Sequence, residues 1–408
     1  MSKNIIFIIV ILVFLMSCLV IFKLLNQRNE IKNQYILEKE EQKKMKIQHA
    51  MEGLSILSSD KTTESKTIAT QIYYEIQNSP TNSLTTQNQN NNYYLNEISV
   101  FSSWNTACSG TFVSTDQIIN VLGSGCRMLH FTISNYNDKP TIFGDFIDSK
   151  NGVLLQDALQ ICMDKAFSYL ITLKTNSGDK DVNLTNYKDP LIVMLSFKYF
   201  TKDDIKKYDK SISKNSKTKL SNPYYTTEFI NKCADIVDTV FNNRLYNNGD
   251  GKAININQNV QKNQINEKTI IITDLTGLSQ EQIKFFNASK LNSYSNLVCG
   301  VNPGITIYPF KDLSLQNIFT SNNNCNNSNF IMAVPVSEND KNSTLINPTR
   351  DGFINCSFYQ KCQFIPIVFY SSDFKYIIQF FRDNNSAFVS FQTINNELLH
   401  PNSKAVMI

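Results

Sequence analysis

Side chains suited to acid–base chemistry are scarce in this sequence. The three histidines are His49, His130 and His400, and imidazole is the side chain that exchanges protons near neutral pH. Only His130 lies within the regularly patterned, apolar part of the chain. A mechanism that needs two cooperating imidazoles in one folded core is therefore disfavoured.

The cysteines do not suggest a metal site. There are nine, and no CxxC pair occurs, so a structural zinc site is not expected. Eight lie outside the first apolar segment and could form four disulfides or remain as buried thiols. Because the apolar content supports a large core without covalent staples, mostly free thiols are favoured. P-loop, GxSxG, HExxH and dinucleotide-binding motifs are also absent from the sequence.

Composition and charge limit the classes of protein to which this chain can belong. The 408 residues carry a net charge of +4 and are 18% charged, which is too mild for a typical nucleic-acid binder. Apolar residues make up 42%, so disorder of the whole chain is excluded. Asparagine is unusually abundant, as in proteins encoded by A/T-rich genomes.

The N-terminus predicts a membrane anchor. Ile5 to Phe22 contains no charge, and Leu24 and Leu25 follow Lys23. At about 1.5 Å per helical residue, such a segment spans a hydrocarbon core of roughly 30 Å. No small-residue cleavage site follows it, so an uncleaved single-pass anchor over residues 5–25 is favoured over a signal peptide.

The side of the membrane is less strongly determined. Lys23, Arg28, Lys32 and Lys39 follow the apolar segment, whereas Lys3 alone precedes it, and the positive-inside rule then places the body in the cytoplasm. Six N-glycosylation sequons point weakly the other way. They begin at Asn183, Asn287, Asn326, Asn342, Asn355 and Asn384.

The remaining chain divides by composition into four parts. Residues 26–57 are rich in Lys, Glu and Gln and predict a solvated helical stalk without a clean heptad. Residues 58–92 are rich in Ser, Thr, Asn and Gln and predict a flexible linker. The folded body is expected over 93–395, followed by a tail, 396–408.

Apolar runs alternate with helical patterns in the body. The predicted strands are Leu95–Phe101, Arg127–Ile133, Thr141–Phe146, Leu191–Phe197, Thr269–Thr273, Ile305–Tyr308, Phe330–Val336, Gln363–Tyr370 and Ala387–Gln392. The predicted helices are Thr115–Leu122, Gly152–Leu170, Thr226–Leu245, Ser279–Phe286 and Asp373–Arg382. Alternation of this kind predicts a parallel α/β architecture, and about eight units favour a closed TIM-like (β/α) barrel, with its site at the carboxyl ends of the strands.

Several of these segments resemble the X region of phosphatidylinositol-specific phospholipase C. The residues that carry the resemblance, in order, are Phe101–Thr106, Gly125–Thr132, Pro140–Gly144, Pro190–Phe197, Ile307–Pro309 and Cys362–Phe369. The resemblance covers roughly residues 95–392 and implies the barrel of the PLC-like phosphodiesterases.

The resemblance also implies that catalysis is lost. The family uses one His as general base on the inositol 2-hydroxyl and a second His as general acid for the leaving group. Trp104 stands at the first of these positions and Phe143 at the second, and neither side chain transfers protons. His130 and Asp145 are the candidates for a rebuilt acid–base pair, although a hydrogen-bonded wall histidine and a loop carboxylate are the simpler interpretations.

The calcium ligands that the resemblance implies are degenerate too. Asn105 is retained, but His130 and Thr132 replace the Glu-x-Asp of the family, and Lys198 replaces a later Glu. No metal or other cofactor is therefore expected, and calcium would be required only by an active enzyme.

Phosphate or lipid could bind at basic residues after the strand that ends near Lys198. Residues 202–219 contain seven Lys against three Asp, including Lys206, Lys207 and Lys210. They could contact anionic phospholipid head groups at about 1 kcal/mol per lysine. An ordinary solvated insertion is the alternative.

Three hypotheses remain. The favoured one is a membrane-anchored, catalytically inactive barrel that acts as a binding or structural module; the composition and anchor resemble those of proteins of large DNA viruses. A diverged phosphoric diester hydrolase and an unrelated membrane-tethered α/β protein are the others. The expected partner is the lipid bilayer, which residues 5–25 would span. Nucleic acid is not an expected partner.

Overall fold

The computed structural model describes one part of the chain. The described residues are 72, 93–110, 112–136, 138–144, 151–197, 226–248, 251–257, 259–301, 303–310, 330–335, 345, 347–370 and 374–394. The chain divides into two compact units, Met1–Asp60 and Lys61–Ile408, and all described residues belong to the second. None of the helices described is long and apolar enough to cross a membrane. The predicted anchor, stalk and tail, and the predicted linker apart from residue 72, lie outside the described residues.

Fifteen strands are described, many of them short. They are β1 Ile98–Val100, β2 Ser102–Ser103, β3 Cys108–Ser109, β4 Phe112–Val113, β5 Met128–Tyr136, β6 Lys139–Phe143, β7 Val153–Leu154, β8 Leu170–Thr175, β9 Gly178–Asn183, β10 Leu191–Phe197, β11 Thr269–Asp274, β12 Leu297–Cys299, β13 Ile305–Pro309, β14 Phe330–Val334 and β15 Phe388–Ser390.

Eight parallel segments close into a barrel. Parallel pairing joins β2 to β5 and then continues through β10, β11, β12, β13 and β14. Residues 364–367 complete the ring, because Phe364 bridges Met332 of β14 and Val100 of β1, and Ile367 bridges Ser103 of β2. This is the TIM-like arrangement that the sequence predicts. We call the end at the carboxyl termini of these segments the mouth and the opposite end the base.

The central strands are apolar on both faces because helices cover the barrel outside and packed side chains fill it inside. Residues 191–195, LIVML, are all buried, and so are residues 269–274, TIIITD. The aspartate that ends the second run, Asp274, is thus a charged group placed at the mouth by an apolar strand.

Seven α-helices accompany the strands. They are α1 Thr115–Gly123, α2 Leu155–Ala166, α3 Thr227–Phe241, α4 Gln280–Asn287, α5 Lys290–Tyr294, α6 Arg350–Ile354 and α7 Lys375–Asp383. Thr226 and Ser279 cap α3 and α4 as predicted, since each hydroxyl accepts a hydrogen bond from the backbone N–H three residues later.

Two predicted strands are not parallel members of the barrel, as the sequence led us to expect, but pair antiparallel. The predicted third parallel strand, Thr141–Phe146, is β6, and it pairs antiparallel with β5, so that Phe143 lies opposite Thr132. The predicted strand Ala387–Gln392 is β15, which pairs antiparallel with β1. Both are additions to the ring rather than members of it, and β10 is consequently the third barrel segment and not the fourth.

A buried ionic cluster closes the base. Lys262 Nζ lies 2.6 Å from Asp189 Oδ1, and both side chains are only 9% exposed. Asp189 Oδ2 also accepts a hydrogen bond from the backbone N–H of Ala387 at 3.1 Å. Arg127 is fully buried and donates to the carbonyl oxygen of Asn186. Burial lowers the pKa of Arg127 to about 10, against an opposing influence of Asp189.

No disulfide joins the described cysteines to one another, in line with the thiols that the sequence favours. All seven are buried, namely Cys108, Cys126, Cys162, Cys233, Cys299, Cys356 and Cys362. They pack as small apolar side chains within the core.

Candidate functional site

Polar side chains meet inside the mouth of the barrel. His130 and Thr132 lie on β5, Ser196 near the end of β10, and Asp274 at the end of β11. The register places Ser196 beside both Thr132 and Asp274. Parallel strands that end at one level therefore bring these residues together.

One hydrogen-bonded chain runs through this cluster. His130 Nε2 lies 2.8 Å from Ser196 Oγ, and Ser196 Oγ donates to Asp274 Oδ2 at 2.8 Å. The other carboxylate oxygen of Asp274 accepts from the backbone N–H and the hydroxyl of Thr276, at 2.9 and 2.6 Å. Asp274 is only 8% exposed, and both of its carboxylate oxygens accept hydrogen bonds from protein groups.

The neighbours of His130 define its tautomer. The backbone N–H of Asn105 donates to Nδ1 at 3.2 Å, so Nδ1 is an acceptor. The ring proton then lies on Nε2 and is donated to Ser196, whose own proton goes to Asp274. This assignment follows from the hydrogen-bond partners. His130 in this form cannot take the proton of Ser196, which is what a nucleophilic serine would require.

Trp104 covers the imidazole. Its ring stacks on that of His130, with centroids 3.7 Å apart and planes 9° apart, and its backbone N–H donates to the carbonyl of Ile367 at 2.8 Å. His130 is fully buried beneath it. The single tryptophan of the chain is therefore a direct spectroscopic probe of the mouth.

The turn after β2 holds Trp104 and Asn105 against β5. The backbone N–H of Thr106 donates to the carbonyl of His130 at 3.0 Å, and the Thr106 hydroxyl accepts from the N–H of His130 at 2.9 Å. Asn105 adopts a left-handed backbone conformation with φ 49°, which Asn tolerates better than most residues. Its buried side-chain amide has no hydrogen-bond partner among the described residues.

The described residues do not fit calcium. The Asn105 amide oxygen could serve as one ligand, but calcium takes six to eight oxygen ligands, usually including carboxylates. His130 and Thr132 supply none at the Glu-x-Asp positions, and both Asp274 oxygens already accept hydrogen bonds. Across the described ranges, no group of three or more His, Cys, Asp or Glu side chains could hold a metal ion.

Phe143 packs within the β5–β6–β7 hairpin region. Its ring meets that of Tyr136 edge-on, with centroids 5.9 Å apart. It also lies against Gly152, where an added Cβ would come within 2.9 Å of the phenyl ring. An apolar side chain is thus built into the packing at the position where the resemblance implies a general acid.

The other predicted site residues lie outside the described residues. These are Asp145, Lys198, Lys206, Lys207 and Lys210. Conversely, Ser196, Asp274 and Thr276 were missed from the sequence. Asp274 could have been found, because it directly follows the predicted strand Thr269–Thr273 and a polar residue at a barrel strand's carboxyl end lies at the mouth.

No protein-family model matches the sequence, and no curated protein sequence matches it. Among solved structures, PLC21 of L. pealei is similar at 15% identity over 73% of this chain, with a TM-score of 0.48. PLC21 of S. officinalis is similar at 14% identity over 73% of this chain, with a TM-score of 0.46. The match spans 37% of each PLC21 chain. A calcium-dependent phosphoinositol-specific phospholipase C from Pseudomonas sp. is 10% identical over 69% of this chain and 92% of its own, with a TM-score of 0.36.

Proposed function

We propose that this protein is a membrane-anchored barrel of the phosphatidylinositol phospholipase C type that has no catalytic activity and acts as a binding or structural module. The observation that carries the proposal is the state of His130. Both of its ring nitrogens are engaged, its ring lies beneath Trp104, and it is fully buried.

The absence of both proton-transfer groups would strongly raise the activation free energy of phosphodiester cleavage. One acid or base group contributes about 10²–10⁴-fold to rate, so the loss of both removes roughly 5–11 kcal/mol of transition-state stabilisation. Trp104 and Phe143 replace the two proton-transfer groups that the motif resemblance implies. The carboxylates that would hold calcium are replaced as well, which removes metal-assisted charge stabilisation.

The anchor and the basic segment support the membrane part of the proposal. Residues 5–25 are long and apolar enough to span a bilayer. The chain leaves β10 at the mouth and continues through Lys198 into residues 202–219, which include Lys206, Lys207 and Lys210. These lysines are the groups we propose to contact anionic phospholipid head groups.

The test is phosphatidylinositol hydrolysis by the full chain, reconstituted in lipid vesicles, with and without calcium. We expect no inositol phosphate above the level released by vesicles alone. Turnover that is lost in His130→Ala or Asp145→Asn would contradict the proposal. It would establish instead a diverged phosphoric diester hydrolase with a rebuilt acid–base pair.

A further inference from the structure

Two of the buried cysteines lie at the ends of one tight turn. Cys356 belongs to the π-helical turn Asn355–Tyr359, which continues α6. Cys362 lies two residues before Phe364, where the segment that closes the ring begins. Both cysteine side chains are fully buried in the same hydrophobic core. The turn therefore joins a helix to the segment on which closure of the barrel depends, with one thiol at each of its ends.

The backbone of this turn brings the two cysteines together. The N–H of Cys362 donates to the carbonyl oxygen of Cys356 at 3.1 Å. Residues joined by such a bond have Cα atoms roughly 5.5–6.2 Å apart in sheets and helices. A disulfide spans about 4.4–6.8 Å between Cα atoms. The backbone thus places Cys356 and Cys362 at a separation that a disulfide can bridge.

The way in which the helical turn ends directs the two side chains toward each other. Lys361 adopts a left-handed backbone conformation with φ 49°, and the following N–H, that of Cys362, returns to a carbonyl inside the turn, as in a Schellman cap. In such caps the residue after the left-handed position packs on an apolar residue of the last helical turn, and these two residues are Cys362 and Cys356. Burial raises the pKa of the Cys362 thiol, and a charge on Cys356 would raise it further, as expected of neighbouring thiols.

We propose that Cys356 and Cys362 are a redox-sensitive pair that forms a disulfide under oxidising conditions and so ties the closing segment to the helical turn before it. This proposal is independent of the proposed function. The oxidant is a low-molecular-weight disulfide such as glutathione disulfide. The thiolate of one cysteine attacks a sulfur of the oxidant, which releases one small thiol and leaves a mixed disulfide. The thiolate of the other cysteine then attacks the protein sulfur of that mixed disulfide and releases the second small thiol. Two protein thiols are oxidised, the S–S bond of the oxidant is reduced, and both protons pass to the small thiols.

Burial determines when this exchange can occur. Neither thiol is exposed in the closed turn. Burial also raises the pKa of Cys356 to about 12, so little of the reactive thiolate is present near neutral pH. Exchange therefore requires local opening of the turn or takes place while the chain folds. In a reducing compartment the pair stays reduced, whereas an oxidised glutathione pool drives formation of the bond.

The position of Cys362 links the bond to closure of the barrel. Phe364, two residues later, bridges Met332 of β14 and Val100 of β1. The thiol of Cys362 itself donates to the carbonyl oxygen of Ile331, also on β14, at 3.4 Å. A cross-link at Cys362 removes conformations of the unfolded chain in which the closing segment has moved away from the turn, which stabilises the folded ring. Because the loop between the two cysteines is short, the stabilisation is moderate.

Peptide mapping of the wild-type full chain tests the pairing. The detergent-solubilised protein would be incubated with glutathione disulfide at increasing urea concentrations up to the unfolding midpoint, then quenched with acid, alkylated and digested. Trypsin cleaves after Arg350, Lys361 and Lys375, so Cys356 and Cys362 fall into separate peptides. We expect mass spectrometry to find these two peptides joined, to find the joined species sooner as urea opens the turn, and to find them separate after reduction.

The urea midpoint of the oxidised and reduced proteins measures the effect on closure. We expect oxidation to raise the midpoint of the wild type by roughly 0.5–1 M. The matched control Cys233→Ala, which removes a buried thiol on α3, should keep both the joined peptides and this shift, whereas Cys356→Ala and Cys362→Ala should lose both.

The pairing has several outcomes that would overturn it, and those from peptide mapping need only the wild type. They are no joined peptides even at the unfolding midpoint, glutathione adducts on the two cysteines without a link between them, and a link from either cysteine to a different one. A joined protein whose midpoint does not rise would overturn the proposed effect on closure of the barrel.

Discussion

His130 shows how neighbours decide what a histidine does. A lone imidazole at a barrel mouth suggests proton transfer, but its Nδ1 accepts from Asn105 and its Nε2 faces Ser196, which in turn donates to Asp274. Such a satisfied buried network fixes side-chain positions and gives the ring no vacant nitrogen to present to a substrate.

Introducing histidine at the two positions where the resemblance implies a general base and a general acid should not produce phospholipase activity. We expect the double variant Trp104→His, Phe143→His to release no inositol phosphate above background at any calcium concentration, because His130, Thr132 and Lys198 stand where the resemblance implies the carboxylates that hold calcium. Calcium-dependent hydrolysis by the double variant would contradict this and show that the chain can hold calcium without those carboxylates.

Asp274 should matter for stability. In Asp274→Asn, an N–H₂ donor replaces one of the two carboxylate oxygens. Depending on the orientation of the amide, either the hydrogen bond from Ser196 or those from Thr276 are lost. A buried hydrogen bond lost in this way costs about 1–3 kcal/mol, and urea denaturation would measure it. The control Asp235→Asn removes an exposed ion pair with Lys290 and should leave the free energy of unfolding nearly unchanged, because solvent screens such pairs. Equal costs for the two variants would contradict the role of Asp274.

Part of the site could be predicted through the motif resemblance. Trp104, His130 and Asn105 were singled out because they stand where that resemblance implies catalytic or calcium-binding residues. The stacking of Trp104 on His130 and the tautomer of His130 could not be predicted, since both depend on the turn that folds Asn105 over β5. Ser196 was missed because a single serine in the apolar run Leu191–Phe197 has no distinguishing spacing.

At the scale of elements, the hairpin β5–β6 was predictable in principle. The predicted strands ended at Ile133 and began again at Thr141, which leaves seven residues, whereas a parallel crossover needs a dozen or more. The two strands are in fact longer and meet near Asp138, whose φ of 59° suits a tight hairpin turn. The helix caps at Thr226 and Ser279 were predicted correctly because capping is local.

The buried ion pair between Asp189 and Lys262 at the base should contribute more to the free energy of unfolding than an exposed ion pair does. Asp189→Asn leaves Lys262 and Arg127 buried without a counter-charge, and breaking a buried pair in this way costs about 3–5 kcal/mol. The matched control is Asp179→Asn, which breaks the Lys174–Asp179 pair, where the side chains are 44% and 55% exposed; it should cost under about 1 kcal/mol. Urea unfolding of both variants is the measurement. A loss below that of the control would show that the cluster is solvated.

Buried thiols should make the fold sensitive to alkaline pH. Burial raises the pKa of Cys356 from 9.0 to about 12. The unfolded thiol therefore ionises first, and the stability that the protonated thiol retains below pH 9 is lost as pH rises toward 12. We expect the free energy of unfolding of the wild type to fall relative to that of Cys356→Ala by about 1.4 kcal/mol per pH unit above pH 9. Parallel pH profiles for the two proteins would contradict this.

At the scale of the whole molecule, ring closure was the least predictable feature from periodicity. It depends on single bridges from Phe364 and Ile367 to three other segments, and such long-range pairs leave no local pattern. The resemblance to a barrel family supplied that expectation, and the observed pairing agrees with it.

Removal of the proposed anchor should separate membrane attachment from folding. We expect deletion of residues 1–25 to move the protein from the membrane pellet to the supernatant with an unchanged thermal unfolding profile, because every described strand and helix lies beyond residue 71. Continued pelleting at high salt, without aggregation, would show that the body has an attachment of its own that does not depend on charge.

The most direct test is the tautomer of His130, measured by nitrogen-15 NMR of the imidazole rings at neutral pH. The chain has three histidines, and the spectrum of His130→Ala assigns the ring in question. We predict that Nε2 carries the proton and that Nδ1 accepts, as the hydrogen bonds with Asn105 and Ser196 require. A ring that carries its proton on Nδ1, or a proton on each nitrogen, would contradict the proposal of an inactive site and would leave His130 as the candidate acid–base catalyst.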